Sequence, residues 1–358
     1  MLKSIEVQMI KNEFALINRI RQAIREPAHK IAGRKQGKVI VGPGDDTAVL
    51  KVSGNKYLLF TCDCLVENVH FSLDYAKPQN LGWKALAINA SDIAAMGGTP
   101  KYATISLVLN EKINEKWVDE LYNGFKEFIK EYPLSLVGGN IARGVSSTVI
   151  DIAMIGEVKK DKFVKRSGAK IGDLIVVTGT LGDSKAGMEI LKKSGKNPVL
   201  CKRHLRPIPR LNEIRKIISK VKLNSMIDIS DGFTQDLFHI LEESKVSASI
   251  DISKIPVSSA LKDFAKDKVL DFALYGGEDY ELLFTLSKKE AKRLPSRVNG
   301  TILTIVGEII TCPPNPDGRE GKPKIFSNNQ EIIPKGYNHF INTDPCPLQC
   351  EASRRDRL

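Results

Sequence analysis

Between Asn12 and Arg25, apolar residues recur at helical spacing among charges, which predicts a helix. Three short runs rich in Val, Leu and Phe follow, Lys38–Val41, Thr47–Val52 and Tyr57–Asp63, broken by Gly and Pro in the manner of strands. Helix and strand patterns then alternate. Leu81–Met96 is helical, Ala103–Leu109 a strand, Glu115–Glu131 a helix and Ser147–Val158 a long strand. Lys159–Gly172 is polar, basic and glycine-containing, and a new pattern starts after it: strand Leu174–Thr178, then a helix around Asp183–Lys193. Beyond these come a helix from Pro209, a strand at Met226–Ile229, a helix from Phe233 and strands at Ala248–Ile252 and Glu281–Leu286. The pattern predicts an α/β (α+β mixed) fold in two domains, 1–158 and 159–341, and a frayed polar tail over 342–358.

At 358 residues and 42% hydrophobic content the chain can bury two cores of ordinary size. No apolar run approaches the roughly 20 residues of a membrane span, and Met1–Arg25 mixes charged with apolar positions unlike a signal peptide, so a cytoplasmic protein is expected. The net charge of +12 suits nucleic acid, acidic membranes or phosphate esters alike. Its basic residues are dispersed, however, without the aromatic interleaving of a nucleic-acid reader, and neither nucleic acid nor membrane is expected as a partner. The six cysteines lack paired CxxC spacing and read as free thiols; Cys62 and Cys64, two apart on a strand, point the same way.

The chemistry is carried by acids placed next to glycines in otherwise apolar segments: Gly42-Pro43-Gly44-Asp45-Asp46, Thr61-Cys62-Asp63, Ser91-Asp92 and Asp228-Ile229-Ser230-Asp231-Gly232. A carboxylate in apolar surroundings is costly unless it is paired or holds a cation, and oxygen ligands with few histidines favour Mg²⁺. Each acid singly has a structural alternative: Ser230 or Asp231 as cap of the helix from Phe233, Asp45 as a turn residue. The glycine pairs Gly138-Gly139-Asn140 and Gly276-Gly277-Glu278-Asp279 leave backbone N–H groups open to phosphate oxygens, or simply form buried turns. There is no GxxxxGK[ST], protein-kinase catalytic loop, GxGxxG or HExxH pattern.

In order along the chain, Gly44-Asp45-Asp46-Thr47-Ala48-Val49-Leu50, Asp63-Cys64-Leu65-Val66-Glu67-Asn68-Val69-His70-Phe71 and the run Lys84 to Gly97 resemble the thiamine-monophosphate kinase family. Arg166-Ser167-Gly168, Gly179-Thr180-Leu181-Gly182-Asp183-Ser184, Arg203-His204-Leu205-Arg206-Pro207, Asp228-Ile229-Ser230-Asp231-Gly232 and Gly276-Gly277-Glu278-Asp279-Tyr280-Glu281-Leu282 continue the resemblance, which covers about Asn12 to Phe340. It implies a two-domain, aminoimidazole ribonucleotide synthetase-like architecture of mixed sheets flanked by helices, and a homodimer joined through N-terminal strands. It also implies Mg²⁺-dependent transfer of the γ-phosphate of ATP to thiamine monophosphate, without a phospho-enzyme and so without a covalent nucleophile. The resemblance places Asp46, Thr61, Cys62, Asp63, Asp92, Asn140, Asp228 and Asp231 at metal-ligand positions. It places Tyr102, Gly139, Asn140, Arg166 and Ser230 at ATP contacts, and His70, Glu278 and Tyr337 where the thiamine substrate is held.

Two departures stand out. The family usually carries Gly-Gly-Asp where this chain has Gly138-Gly139-Asn140, and Ser-Thr-Asp where it has Thr61-Cys62-Asp63. Asn140 offers a neutral oxygen in place of a charge, and a thiol is a poor Mg²⁺ ligand. Selenophosphate synthase, aminoimidazole ribonucleotide synthetase and hydrogenase-maturation enzymes share the acidic cradle for ATP, so they remain alternatives, as does a non-catalytic nucleotide binder.

Overall fold

The computed structural model describes residues 16–17, 19–20, 39–314 and 321–337. The chain divides into two compact units, Gln36–Gly336 and, by itself, Met1–Lys35 with Tyr337–Leu358. In the smaller unit residues 16, 17, 19 and 20 are helical, within the helix expected from Asn12; the rest of that helix and the 342–358 tail lie outside the described residues.

The larger unit holds two sheets. The first is built from β1 (Val39–Val41), β2 (Ala48–Lys51), β3 (Lys56–Val66), β4 (Thr99–Leu109), β5 (Ser135–Arg143) and β6 (Val149–Lys159), in the order β1-β2-β3-β6-β4-β5. Alternation sets its faces: Ile150, Ile152 and Met154 of β6 are buried while their neighbours are half-covered, and Leu59, Thr61 and Leu65 of β3 follow the same side. Against that face lies helix α1 (Pro78–Ala95), opened by a proline in its first turn; from Leu81 to Ala95 every residue except Asp92 is buried. A helix covered on all sides in this way must be apolar all round, so each polar residue in it needs a partner. Helix α2 (Glu115–Glu131), capped by Asn114, carries the crossover between the parallel pair β4 and β5. It crosses α1 where Gly82 and Gly124 bring the two backbones together: a Cβ on Gly124 would stand 2.0 Å from the Gln79 carbonyl oxygen.

The second sheet has the order β14-β13-β9-β12-β7-β10-β8, with β11 (Arg297–Val298) paired to β12. Its strands are β7 (Leu174–Thr178), β8 (Ser225–Asp228), β9 (Ser247–Ile250), β10 (Leu282–Leu286), β12 (Thr301–Ile310), β13 (Ile325–Ser327) and β14 (Gln330–Ile332). Strands β8 and β10 are buried throughout, their Met, Ile, Leu and Phe on both faces and the Ser225 and Thr285 hydroxyls bonded to each other. The flanking helices are α3 (Asp183–Lys192), α4 (Pro198–Leu205), α5 (Leu211–Lys220), α6 (Phe233–Ser244), α7 (Ser259–Ala265), α8 (Val269–Tyr275) and α9 (Lys288–Ala291). One core runs from Leu59 and Ile152 of the first sheet through α1 to Met226 and Phe284 of the second. A second core, with Ile227, Phe233 and Val306, lies on the far side of the second sheet.

Four expectations are corrected. Gly138-Gly139-Asn140 is not a turn but part of the edge strand β5, where pairing with β4 overrides the low strand propensity of glycine. The helix placed from Pro209 begins at Leu211, and the short helix α4, capped by Asn197, precedes it. Neither Ser230 nor Asp231 caps α6: the cap position is Gly232, at φ 130°, with no side-chain cap. The strand over Ala248–Ile252 ends at Ile250, giving way to a 3₁₀ turn over Ile252–Lys254.

Candidate active site

The turn before β2 passes through Gly44 at φ 117°, a left-handed value that favours glycine, and presents Asp45 and Asp46 in succession. Asp45 accepts the N–H of Asp46 at 3.1 Å and that of Arg166 at 3.3 Å, which ties the turn to the start of the second half of the chain. Oδ1 of Asp46 takes both Nε and Nη2 of Arg166, at 3.0 and 2.5 Å. Its other oxygen, Oδ2, is buried without a hydrogen-bond partner among the described residues.

Helix α1 faces both halves of the chain. Asn89 and Asp92 turn toward β3: Oδ1 of Asn89 accepts the Asp63 N–H at 3.0 Å, and Thr61 Oγ1 donates to Asp92 at 2.5 Å. Lys84 and Ser91, two turns apart on another face, turn toward the second sheet. Ser91 Oγ donates to Asp228, at the end of β8, at 2.5 Å, and Lys84 Nζ pairs with Glu278 at 2.7 Å. One carboxylate oxygen from each of Asp46, Asp92 and Asp228 consequently lies within 4.8 Å of the other two.

Two loops of the second half lie side by side. Glu278 N–H donates to the Ser230 carbonyl at 2.7 Å and Tyr280 N–H to that of Ile229 at 2.9 Å. Gly277 permits this approach, since a Cβ there would stand 2.5 Å from the Ser230 oxygen. The acids of the second loop divide their tasks. Asp279 accepts from the N–H groups of Gly182 and Ser184 at the start of α3, and Glu281, fully buried, is gripped by Arg203, Arg210 and Thr178. Glu278, at φ 64°, is left facing Lys84 and His204. Asp231 belongs to a second close group with Asp236 and His239, in which Asp236 accepts the N–H groups of Asp231 and Gly232.

The other sequence-selected residues lie apart from the three-acid cluster or outside this unit. Cys62 is on the opposite face of β3 from Thr61 and Asp63, its thiol donating to Asp151 at 3.4 Å. Asn140 pairs in register with Ser106, which stands opposite Asp151, so it shares that outer face with Cys62. Tyr102 is half-exposed on β4, and Gly139 packs where a Cβ would meet the Ile105 carbonyl oxygen at 2.1 Å. Nδ1 of His70 accepts the Val66 N–H at 3.0 Å within its own turn. Tyr337 falls in the smaller unit and is partly exposed there. Sequence reasoning gave no role to Lys84, His204, Asn89, Ser91 or Asp236. The available signal for Asn89 and Ser91 was a polar residue in a helix whose other positions are largely apolar.

Burial dominates the electrostatics. It pushes Asp228 up to about 8, with the Asp46 charge adding to it against Ser91 and Arg166. Asp45 rises to about 7 for the same first reason, and Asp92 well above the usual range, helped by Asp63 and Asp228. Asp46 is also raised: its burial outweighs the Arg166 guanidinium. Carboxylates held this way bind protons or a cation. The donor set fits a hard divalent ion, being oxygen only and including a buried Asp46 Oδ2 that has no hydrogen-bond partner among the described residues.

Residues 44–158 match the model of the AIR synthase related protein, N-terminal domain, and residues 170–313 that of its C-terminal domain. The chain is 40% identical over 321 residues to the thiamine-monophosphate kinase of Buchnera aphidicola subsp. Acyrthosiphon pisum, covering 86% of this chain and 94% of that one. To the enzyme of the same name from Aquifex aeolicus it is 37% identical, over 92% of this chain and 98% of the relative. The solved structure of AaThiL complexed with AMPPCP and TMP superposes with a TM-score of 0.78 at 34% identity, over 94% of this chain and 100% of that one.

Proposed function

The chain belongs to the thiamine-monophosphate kinase family, and we propose that it transfers the γ-phosphoryl group of ATP to the phosphate of thiamine monophosphate, giving thiamine diphosphate and ADP. The observation that carries this reading is the convergence of Asp46, Asp92 and Asp228 beside Arg166, with one buried Asp46 oxygen unpartnered among the described residues. Joining two anionic phosphates requires charge neutralisation and in-line alignment more than a strong base. A terminal phosphate oxygen of the acceptor attacks the γ-phosphorus, the bond to the β-phosphate oxygen breaks, and ADP leaves with the electron pair.

Mg²⁺ held by Asp46, Asp92 and Asp228, with Asp63 close enough to act on Asp92 and Asp228 and Asp231 in the neighbouring acidic group, would supply the positive charge that this transfer needs. The protein's own part is positioning. Arg166, already forked onto Asp46, offers its remaining N–H groups to phosphate oxygens, and Thr61 and Ser91 hold the carboxylates in place through their hydroxyls. Ser230 lies in the loop that also fixes Glu278, so the nucleotide end and the organic end of the site share one scaffold.

The domain division at 1–158 and 159–341 goes with this reading, as do a cytoplasmic setting and a homodimer. In favour of the dimer, Phe60 and Tyr102 expose apolar side chains on the outer face of β3 and β4. A second copy over the outer face of the first sheet is also how Tyr102, Asn140 and Cys62, which point away from α1, would enter a nucleotide site. No helix among the described residues is long and apolar enough to cross a membrane.

Purified protein with Mg²⁺, ATP and thiamine monophosphate is expected to form thiamine diphosphate and ADP in equal amounts, followed by chromatography. ATP consumption with a different acceptor, or tight ATP binding without turnover, would move the chain to another activity on the same fold.

A further inference from the structure

Lys84 is a long, fully buried side chain, 1% exposed, on a helix otherwise packed largely with Ala, Leu and Ile. An ammonium brings three N–H groups and a heavy desolvation cost to such a place. A helix needing only packing there would be served by Met or Leu. Its Nζ meets a single group, Oε1 of Glu278 at 2.7 Å, and no other acceptor completes its shell among the described residues. The second oxygen of Glu278 lies 3.2 Å from Nδ1 of His204, which is also buried and stands 3.3 Å from Ser184 Oγ. The Tyr75 ring closes the other side of the imidazole at 6.4 Å. Glu278 itself stands at φ 64°, a strained value for a residue with a side chain, and its side chain is 24% exposed. One partly open carboxylate is therefore held between the Lys84 ammonium from α1 and a titratable ring from α4.

We propose that Lys84 is a positioning residue for the organic substrate, acting through Glu278 by fixing the orientation of its carboxylate toward the open side of the site. The inference rests on the reading that Glu278 contacts thiamine monophosphate. The groups facing the carboxylate are Lys84 from α1 and His204 from α4, with Tyr75 from the segment before α1 near enough to feel its charge; Ser184 from α3 meets the His204 ring, on which Lys192, at the end of α3, acts at longer range. Burial would raise the Glu278 carboxyl, but Lys84 first and His204 second hold it below the ordinary range. Burial and then the Lys84 charge keep His204 below its usual value, against the pull of Glu278. In the intact protein Lys84 thus carries the pairing at neutral pH and His204 stays neutral. Without Lys84, the ring would gain a proton more readily and take over the carboxylate, so the subsite would become pH-sensitive.

In Lys84→Met, KM for thiamine monophosphate is expected to rise about tenfold or more while KM for ATP stays within about twofold. The kcat/KM profile for thiamine monophosphate should gain a limb that falls with rising pH, absent from the parent. A folded Lys84→Met with both KM values and the pH profile unchanged overturns the proposal. Should that variant not fold, the unsubstituted protein still answers. The ¹⁵N signals of His204 should shift on adding thiamine monophosphate and not on adding a non-hydrolysable ATP analogue alone; signals blind to thiamine monophosphate overturn it equally. Glu278→Gln separates the two layers. An unchanged KM for thiamine monophosphate there removes the substrate contact itself, whereas a raised KM beside a silent Lys84→Met removes only the role of Lys84.

Discussion

Asp92 and Asp228 are tolerated inside the fold because Thr61 and Ser91 each turn a hydroxyl onto them, yet neither hydroxyl supplies the missing positive charge. Asp92→Asn is therefore expected to raise the metal-free melting temperature by about 2 °C or more while lowering turnover at least about 100-fold, read by calorimetry and the coupled assay. A pH dependence follows from the same burial. Asp228 moves from the ordinary 3.8 to about 8 on folding, so between these values the folded chain binds more protons than the unfolded one. Metal-free stability must then fall as pH rises across that window, and Mg²⁺, which competes with those protons, should raise the melting temperature more at pH 8 than at pH 5. Equal gains at both pH values would contradict it. These acids were legible in the sequence because a carboxylate between apolar neighbours announces an unmet charge. Lys84 and His204 were not: a lysine in a helical pattern ordinarily reaches solvent, and only folding brings Glu278, 194 positions away, against it.

At the scale of elements, α1 is the part on which the site is registered, because one face fixes Asp63 and Asp92 and another fixes Asp228 and Glu278. Its own position depends on the glycine crossing with α2. In an ordinary helix Gly→Ala gains up to about 1 kcal/mol. At Gly124 the added Cβ would meet the Gln79 carbonyl oxygen at 2.0 Å, so Gly124→Ala is expected to cost about 2 kcal/mol or more by denaturant unfolding, and to lower activity in step as α1 shifts. The long, periodic elements α1, α2 and β6 were readable from their spacing. Strand β5 was hidden by its glycines, and the short α4, β13 and β14 by their length, whereas β12, rich in Ile, Thr and Val, carries a strand pattern of its own.

For the molecule as a whole, residues separated by up to 182 positions, Asp46 to Asp228, supply one cluster only after both sheets have closed on α1. No local pattern contains that meeting, and the ordered series of motifs was what made it foreseeable. The most direct test is a crystal soaked with Mn²⁺ and a non-hydrolysable ATP analogue, measured for anomalous scattering. The account predicts a peak about 2.0–2.3 Å from oxygens of Asp46, Asp92 and Asp228, with the phosphates on its other side. Nucleotide bound with no peak among these three carboxylates would contradict it.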